Sequence, residues 1–347
     1  MSTPTEIELF RLRLSRGFYS WNIQNIMRTV KQHPNLLQTA GGMLALQKAC
    51  DMDPDSVSIE LIMVLIEEGI KLNFGERGGL RLSFKTGTCP LQLLIKRGSL
   101  QVLKGLAEAN PPFLSREDVS KHSLLHLAAG YGHLDVVQFL ITLDPQAVSS
   151  RNKHGALPIH MTCSSIRESH DELSRFRSVR EILIETFLTR VYFKSTHDQS
   201  RIDPQDAITV FEWFFPTPNS RSSKDARKDY VQDIVSILNQ FDLEIPILPA
   251  AIKVDAPQYH IQQIIDLIRE CAEVRDESNR LSLHLAAEQG IKWSEGLKDV
   301  LDAFVPAIYE ADVVTGLPQF ALAAAGGDSD LDGVYELMKR FPDPIYH

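Results

Sequence analysis

The chain has 347 residues, of which 44% are hydrophobic and 23% are charged, and this composition is typical of a folded protein rather than a disordered one. Its formal net charge of −9 disfavours nucleic acid as a partner, because phosphate binding requires a positive surface. The acidic residues are concentrated towards the end of the chain, where residues 231–347 carry twenty acidic and eight basic side chains. We expect this end to attract a basic protein surface.

No apolar run reaches the roughly 18 to 20 residues that a membrane-spanning helix needs. The first residues, MSTPTEIELFRLRLSRG, carry charges where a secretory signal peptide has an apolar core. The cysteines are far apart and form no CxxC pair that would indicate a zinc or redox site: Cys50, Cys89, Cys163 and Cys271. The sequence therefore predicts an intracellular protein of the cytoplasm or the nucleus, with reduced thiols, no cofactor and no membrane insertion.

A pattern with a period near 34 residues recurs along the chain. His160 lies 34 residues after His126, and Gln92 lies 34 residues before it. Segments similar to SLLHLAAGYGHLDVVQFL at 123–140 are LALQKAC at 44–50, CPLQLL at 89–94, LPIHMTC at 157–163, IPILPAAI at 245–252, LSLHLAAEQG at 281–290 and ALAAAGG at 321–327. A period of this length predicts a repeat protein in which each unit is one supersecondary element.

These units resemble ankyrin repeats, whose pattern begins TPLHxAA, passes a glycine and continues into a second helix. The segment that begins at Ser123 matches this pattern best, whereas Cys89 and Leu157 replace the threonine in other units. The resemblance implies an all-α solenoid of stacked helix pairs that binds other proteins. It also implies that the histidines at the repeated position hydrogen-bond to neighbouring backbone.

Physical reasons for the pattern can be found within the unit at 123–148. Gly132 can end the first helix in a left-handed conformation, and Asp135 then lies in the first turn of the second helix, where its charge suits the helix dipole. Cys50 and Cys163 occupy the position of Ala129, where two helices approach closely. We therefore expect both cysteines to be small buried residues rather than reactive thiols.

The spacing of the repeats is interrupted in the middle of the chain. His160 and Pro249 are separated by more than two periods and fewer than three, so we interpret residues 191–242 as an irregular helical insertion. The remaining chain is then divided into N-terminal ankyrin-like repeats at 1–190, clearest at 88–165, and C-terminal repeats at 243–347.

Within this middle region, residues 173–188 and 230–241 have apolar side chains at helical spacing. Residues 216–229 are rich in proline, serine and charge, which predicts a mobile loop. The neighbouring aromatic residues at 211–215, FEWFF, have two interpretations. They can form a docking patch for a partner, or they can pack inside an irregular unit.

Protein binding in such a solenoid is expected from residues that the repeat does not need for packing. These lie in the turns before the first helices and at the exposed ends of those helices, and a further turn is predicted at 313–315. The candidate protein-binding residues are Lys96, Arg97, Lys121, His122, Tyr131, Arg151, Asn152, Lys153, His154, Asp276, Glu277, Arg280, Glu288 and Gln289.

The acidic segment at 328–332 suggests a different function. Asp328, Asp330 and Asp332 resemble the start of an EF-hand calcium loop, but Lys339 stands at the twelfth position, where such a loop needs a bidentate glutamate. Placing this segment on the preceding repeat makes it the connector between two helices, with an aspartate that can cap the second one.

The sequence favours a non-enzymatic, monomeric ankyrin-repeat adaptor or scaffold that binds proteins. No HExxH, nucleophile-elbow or phosphate-loop motif occurs, and the repeated histidines do not have metal-ligand spacing. Two alternatives remain open: a calcium-responsive regulator that uses 328–332, and an enzyme with a cryptic site in 166–244.

Overall fold

A computed structural model describes most of the chain, and every statement about structure below concerns the residues it describes. They are 23–32, 45–54, 58–72, 79–80, 88–109, 114, 124–164, 170–194, 204–215, 224–241, 245–326 and 330–341. These residues form helices and turns and no strand, which confirms the predicted all-α fold class. The chain divides into an N-terminal unit, Met1–Thr186, and a C-terminal unit, Phe187–His347.

The N-terminal unit is built from pairs of short helices. The described helices are α1 (Ile23–Gln32), α2 (Ala45–Cys50), α3 (Ile59–Lys71), α4 (Pro90–Arg97), α5 (Leu100–Ala109), α6 (Leu124–Tyr131), α7 (Leu134–Leu143), α8 (Pro158–Ser164) and the first part of α9 (His170–Lys194), whose residues from Phe187 onward belong to the C-terminal unit. Helices α2, α4, α6 and α8 pack against one another in that order, and α1, α3, α5 and α7 form a second row. Two parallel rows of this kind are what stacked helix pairs produce.

Glycines and small residues set the geometry of each pair. Gly132, between α6 and α7, has a φ of +68° and Asp135 lies in the first turn of α7, as predicted. Gly98 has a φ of +71° and ends α4 in the same way. The expectation for Cys50 and Cys163 is also confirmed, because both are fully buried in helix contacts.

The C-terminal unit is also built from packed helices. Its helices are α10 (Pro204–Trp213), α11 (Lys224–Leu238), α12 (Ile247–Lys253), α13 (Gln258–Leu267), α14 (Ser282–Glu288), α15 (Leu297–Ala303), α16 (Gln319–Ala325) and α17 (Leu331–Arg340). Helices α10, α12, α14 and α16 pack in sequence, α13 packs against α15, and α17 packs against α16. None of the helices in the described part of the chain has the length and apolar character needed to cross a membrane.

The predicted mobile loop at 216–229 is wrong in part. Helix α11 begins at Lys224, so residues 224–229 are helical, and residues 216–223 lie outside the described residues. The charged segment KDARKD contains neither proline nor glycine, and most of its residues have good helix propensity. It therefore extends the amphipathic helix that the sequence predicts from residue 230 by nearly two turns.

The aromatic residues at 211–215 pack inside the C-terminal unit, which decides between their two interpretations. Trp213 is 2% exposed, and Phe211 and Phe214 are also buried. The ring of Trp213 meets Phe187 edge to face, with ring centroids 5.0 Å apart, and the Tyr230 hydroxyl donates to the Trp213 carbonyl oxygen at 2.7 Å. These residues form a core that holds α10 and α11 together.

Candidate functional site

Three turns that precede first helices are built in the same way. In each turn the first residue donates its backbone N–H to a carbonyl oxygen four or five residues later. Its side-chain oxygen accepts hydrogen bonds from backbone N–H groups inside the turn, which fixes the turn's conformation. We name them the Asn152 turn (152–156), the Asp276 turn (276–280) and the Asp312 turn (312–317).

In two of these turns, the residue before the turn is an arginine that makes the same hydrogen bond. Arg151 donates from Nη1 to the carbonyl oxygen of Gly155 at 3.2 Å, and Arg275 donates from Nη1 to that of Asn279 at 3.3 Å. Each arginine therefore braces its turn from outside. Because the turns are held by their own backbone and by these side chains, the residues at their tips project from a fixed base.

The Asn152 turn presents positive charge. Arg151, Lys153 and His154 are exposed, as the sequence predicts, whereas Asn152 is half-buried because its side chain holds the turn. Lys121 and His122 lie outside the described residues.

Predicted residues at the ends of α4 and α6 lie on the surface of the N-terminal unit. Lys96 and Tyr131 are exposed, and the Tyr131 ring stacks on His133 with ring centroids 6.2 Å apart. The His133 ring contacts the Lys96 carbonyl oxygen through Nε2 at 2.9 Å, so it connects the two repeats. Arg97 is half-buried, and its guanidinium lies 3.0 Å from Asp51.

Two predicted binding residues of the C-terminal unit are not on the surface. Asp276 and Arg280 are buried, so the expectation that they face a partner is wrong. Asp276 is buried because its carboxylate accepts backbone hydrogen bonds from Ser278 and Arg280. From the sequence alone, an aspartate whose carboxylate stabilises a turn cannot be distinguished from an aspartate that is exposed on the turn. Glu288 and Gln289 are exposed, as expected.

Around these two residues lies a network of eight charged side chains, which we call the C-terminal charge network. Its members are Lys253, Arg275, Asp276, Glu277, Arg280, Glu288, Glu310 and Asp312. Lys253 contacts Asp276 at 2.8 Å and Glu277 at 2.5 Å, and Arg275 contacts Glu310 at 2.6 Å. Arg280 contacts both Asp312 and Glu288 at 2.7 Å. The network joins α12, the Asp276 turn, α14 and the Asp312 turn.

Hydrogen bonds and opposite charges shift the pKa values of Asp312, Arg280 and Lys253 in favour of their ionised forms. Burial alone would raise the pKa of Asp312, but hydrogen bonds from Thr315 and the charge of Arg280 outweigh it, and the pKa is lowered. Burial alone would lower the pKa of Arg280, yet Glu288 and Asp312 raise it. The same competition raises the pKa of Lys253 through Asp276 and Glu277. Lys253, Arg280 and Asp312 are therefore charged near neutral pH.

Several members of this network were missed by the sequence reasoning. Asp312 lies 36 residues after Asp276 and opens an equivalent turn, and Arg275 is equivalent to Arg151. Alignment of His284 with His160 places Arg275 on Arg151, nine residues earlier in each case, and alignment of the turns would have identified Asp312. Lys253 and Glu310 have no comparable signal, because their role depends on which repeats are neighbours.

Two aspartates of the acidic segment lie at the start of α17, where an aspartate is predicted to cap the helix. Asp330 caps α17, since its carboxylate accepts hydrogen bonds from the backbone N–H groups of Asp332 and Gly333 and, at 2.7 Å, of Trp293. Asp328 lies outside the described residues. Among the residues that the structure describes, no group of histidine, cysteine, aspartate or glutamate side chains is arranged to hold a metal ion.

The histidines of the repeat have structural roles, as the resemblance implies. In the C-terminal unit, His284 accepts from the Leu281 N–H through Nδ1 at 3.2 Å and contacts the Glu310 carbonyl oxygen through Nε2 at 3.1 Å. One neutral tautomer, protonated on Nε2, satisfies both bonds. Gln92 and Gln47 replace histidine elsewhere, and each makes one of these two bonds: Gln92 accepts from the Cys89 N–H, and Gln47 donates to the Thr88 carbonyl oxygen.

This replacement predicts the behaviour of two variants of His284. His284→Ala removes both bonds from a fully buried position and should destabilise the protein by about 1–3 kcal/mol. His284→Gln can restore the bonds that Gln47 and Gln92 make, and should recover most of the loss. Urea unfolding of both variants measures the difference. Equal destabilisation by alanine and glutamine would show that the bonds do not stabilise the repeat.

Stacked helix pairs joined by braced turns define a helical-repeat protein. Residues 120–153 match the family model described as "Ankyrin repeat", so the chain contains an ankyrin repeat where the sequence resemblance is strongest. The matched residues include α6, α7 and the start of the Asn152 turn. A search of the curated proteins finds no match to this chain. The family match supports the coarse conclusion that the chain carries a protein-interaction module.

Proposed function

We propose that the protein is a non-enzymatic ankyrin-repeat adaptor or scaffold that acts inside the cell. The observation that supports this most strongly is the set of braced turns with exposed tips in both units. A turn that is rigid before binding loses less conformational freedom when a partner docks, so more of the contact energy contributes to affinity. All four cysteines are buried and none of them forms a disulfide, which suits a reducing compartment.

Two binding surfaces of different charge follow from this proposal. The N-terminal repeats, which we assign to 1–190, would use the basic tip of the Asn152 turn together with Lys96 and Tyr131. The C-terminal repeats, assigned to 243–347, would use the Asp276 and Asp312 turns with Glu277, Glu288 and Gln289. An adaptor can hold two partners when its surfaces differ in charge, because each surface disfavours the other's partner.

Site-specific photo-cross-linking in cells tests the proposal. A photo-reactive amino acid is placed at His154 or at Asn279, which are exposed turn residues, and at Gln138, an exposed residue of the second helix α7. We expect cross-linked partner proteins from the two turn positions and few or none from Gln138. Charge reversal by Arg151→Glu with Lys153→Glu should abolish the cross-links at position 154. Equal yields at all three positions would overturn the proposal.

A further inference from the structure

The tip of the Asp312 turn is apolar and exposed. Val313 is 60% exposed and Val314 is 62% exposed, and Leu317 at the end of the same turn is also on the surface. The equivalent positions of the Asn152 turn are Lys153 and His154, and those of the Asp276 turn are Glu277 and Ser278. This turn therefore differs in character from its two equivalents, and packing within the described residues does not explain its two valines.

The conformation of this tip is fixed from within. The Asp312 carboxylate accepts hydrogen bonds from the Thr315 N–H at 3.0 Å and from the Thr315 hydroxyl at 2.7 Å, and it contacts Arg280. The turn is closed by backbone bonds from Asp312 to Leu317 and from Gly316 to Asp312, and Gly316 has a φ of +71°. Val313 and Val314 are thus presented to solvent by a preorganised turn, which lowers the entropic cost of burying them against a partner.

The apolar tip belongs to a turn that takes part in the C-terminal charge network through Asp312. The C-terminal charge network contains five carboxylates and three cations, so it has two more negative than positive charges. The side chains of Glu277, Glu288 and Glu310 are 36%, 48% and 41% exposed, whereas Asp276 and Asp312 are buried. The exposed part of the network therefore consists of these three glutamates with Lys253 and Arg275, which are 26% and 33% exposed, and it carries one excess negative charge.

We propose that the Asp312 turn and the neighbouring glutamates bind a protein segment that carries large apolar side chains flanked by lysine or arginine. The apolar side chains of the segment bury Val313 and Val314, and its cations face Glu288 and Glu310. An apolar centre with a charged rim is the usual anatomy of a protein interface, and the charges set orientation and selectivity. The inference rests on the proposed function, because it names the partner of that surface.

Selection from a random dodecapeptide library displayed on phage tests the inference. Wild-type protein should enrich peptides that combine large apolar residues with lysine or arginine. A selected peptide, made synthetically and labelled, should bind the Val313→Ser, Val314→Ser double variant roughly tenfold or more weakly, since two apolar side chains lose their burial. Glu288→Gln with Glu310→Gln should also weaken binding and reduce its dependence on salt. Tyr259→Ser, which changes an exposed apolar residue of α13, should leave binding unchanged.

The outcomes separate this inference from the proposed function. The inference would be overturned if the enriched peptides were acidic or polar. It would also be overturned if a selected peptide bound the Val313→Ser, Val314→Ser variant and the wild type with the same affinity. Both results would still agree with the proposed function as a peptide-binding adaptor. Absence of any enriched peptide would also overturn it, and the cross-links at residues 154 and 279 would then decide the proposed function independently. Circular dichroism of each variant verifies that helix content is retained.

Discussion

Asp312→Ala should destabilise the C-terminal unit by about 3–5 kcal/mol, because it removes one partner of a buried ion pair. The Asp312 side chain has no exposed surface, and its contact with the Arg280 guanidinium is 2.7 Å long. After the substitution, Arg280 remains buried with only the half-exposed Glu288 as a counter-charge, and the Asp312 turn loses the bonds to Thr315. Urea unfolding monitored by circular dichroism measures the loss.

Two controls separate the buried pair from the rest of the network. Glu288→Gln breaks an ion pair in which the glutamate side chain is 48% exposed. It should lower the free energy of unfolding by no more than about 1 kcal/mol. Arg280→Met combined with Asp312→Leu removes both buried charges and should recover a large part of the stability that Asp312→Ala loses. If Asp312→Ala and Glu288→Gln have equal effects, the buried pair does not hold the two turns together.

Trp213→Ala should lower the free energy of unfolding by about 3–5 kcal/mol, as large aromatic deletions in a core do. The Trp213 ring packs edge to face on Phe187, and burial of both rings is nearly complete. The cavity left behind would lie between α10 and the end of α9, where the rigid helices cannot collapse onto it. Loss of near-ultraviolet circular dichroism together with an earlier urea midpoint would report the effect.

The same substitution also tests the rejected interpretation of the aromatic residues at 211–215. A docking patch on the surface would lose partner binding with little change in stability, whereas a core residue loses stability first. Tyr259→Ala is the matched control, because Tyr259 is an aromatic residue of the same unit that is largely exposed. It should change stability by no more than about 0.5 kcal/mol. An equally small effect of Trp213→Ala would contradict its assignment to the core.

Much of the architecture follows from local pattern. The recurrence of histidine or glutamine before a pair of small residues predicts the first helices, and the glycines that end α4 and α6 adopt the left-handed conformation. The capping of α17 by Asp330 and the burial of Cys50 and Cys163 follow from alignment of the units. These features could be read from the sequence because each repeat contacts only its neighbours, so the same local constraints recur at a fixed spacing.

The site could be predicted less well. The three described turns lie where the sequence predicts turns. Asp276 and Arg280 are expected at the surface from the sequence, but their side chains are buried within the C-terminal charge network. Burial of a charged residue depends on a counter-charge from another repeat, and Asp312 lies 32 residues beyond Arg280. Nothing in the composition of the segment around Arg280 indicates that partner.

By itself the sequence determined the class of fold, the repeat and the position of the turns, since these depend on residues close together in the chain. Only the tertiary structure decided which turn residues face solvent. Stacking of neighbouring repeats buries Asp276, Arg280 and Asp312 as paired charges, and it leaves Val313 and Val314 exposed beside an excess of carboxylates. A charged side chain becomes structural when stacking supplies its counter-charge, and an apolar one becomes available to a partner when stacking leaves it uncovered.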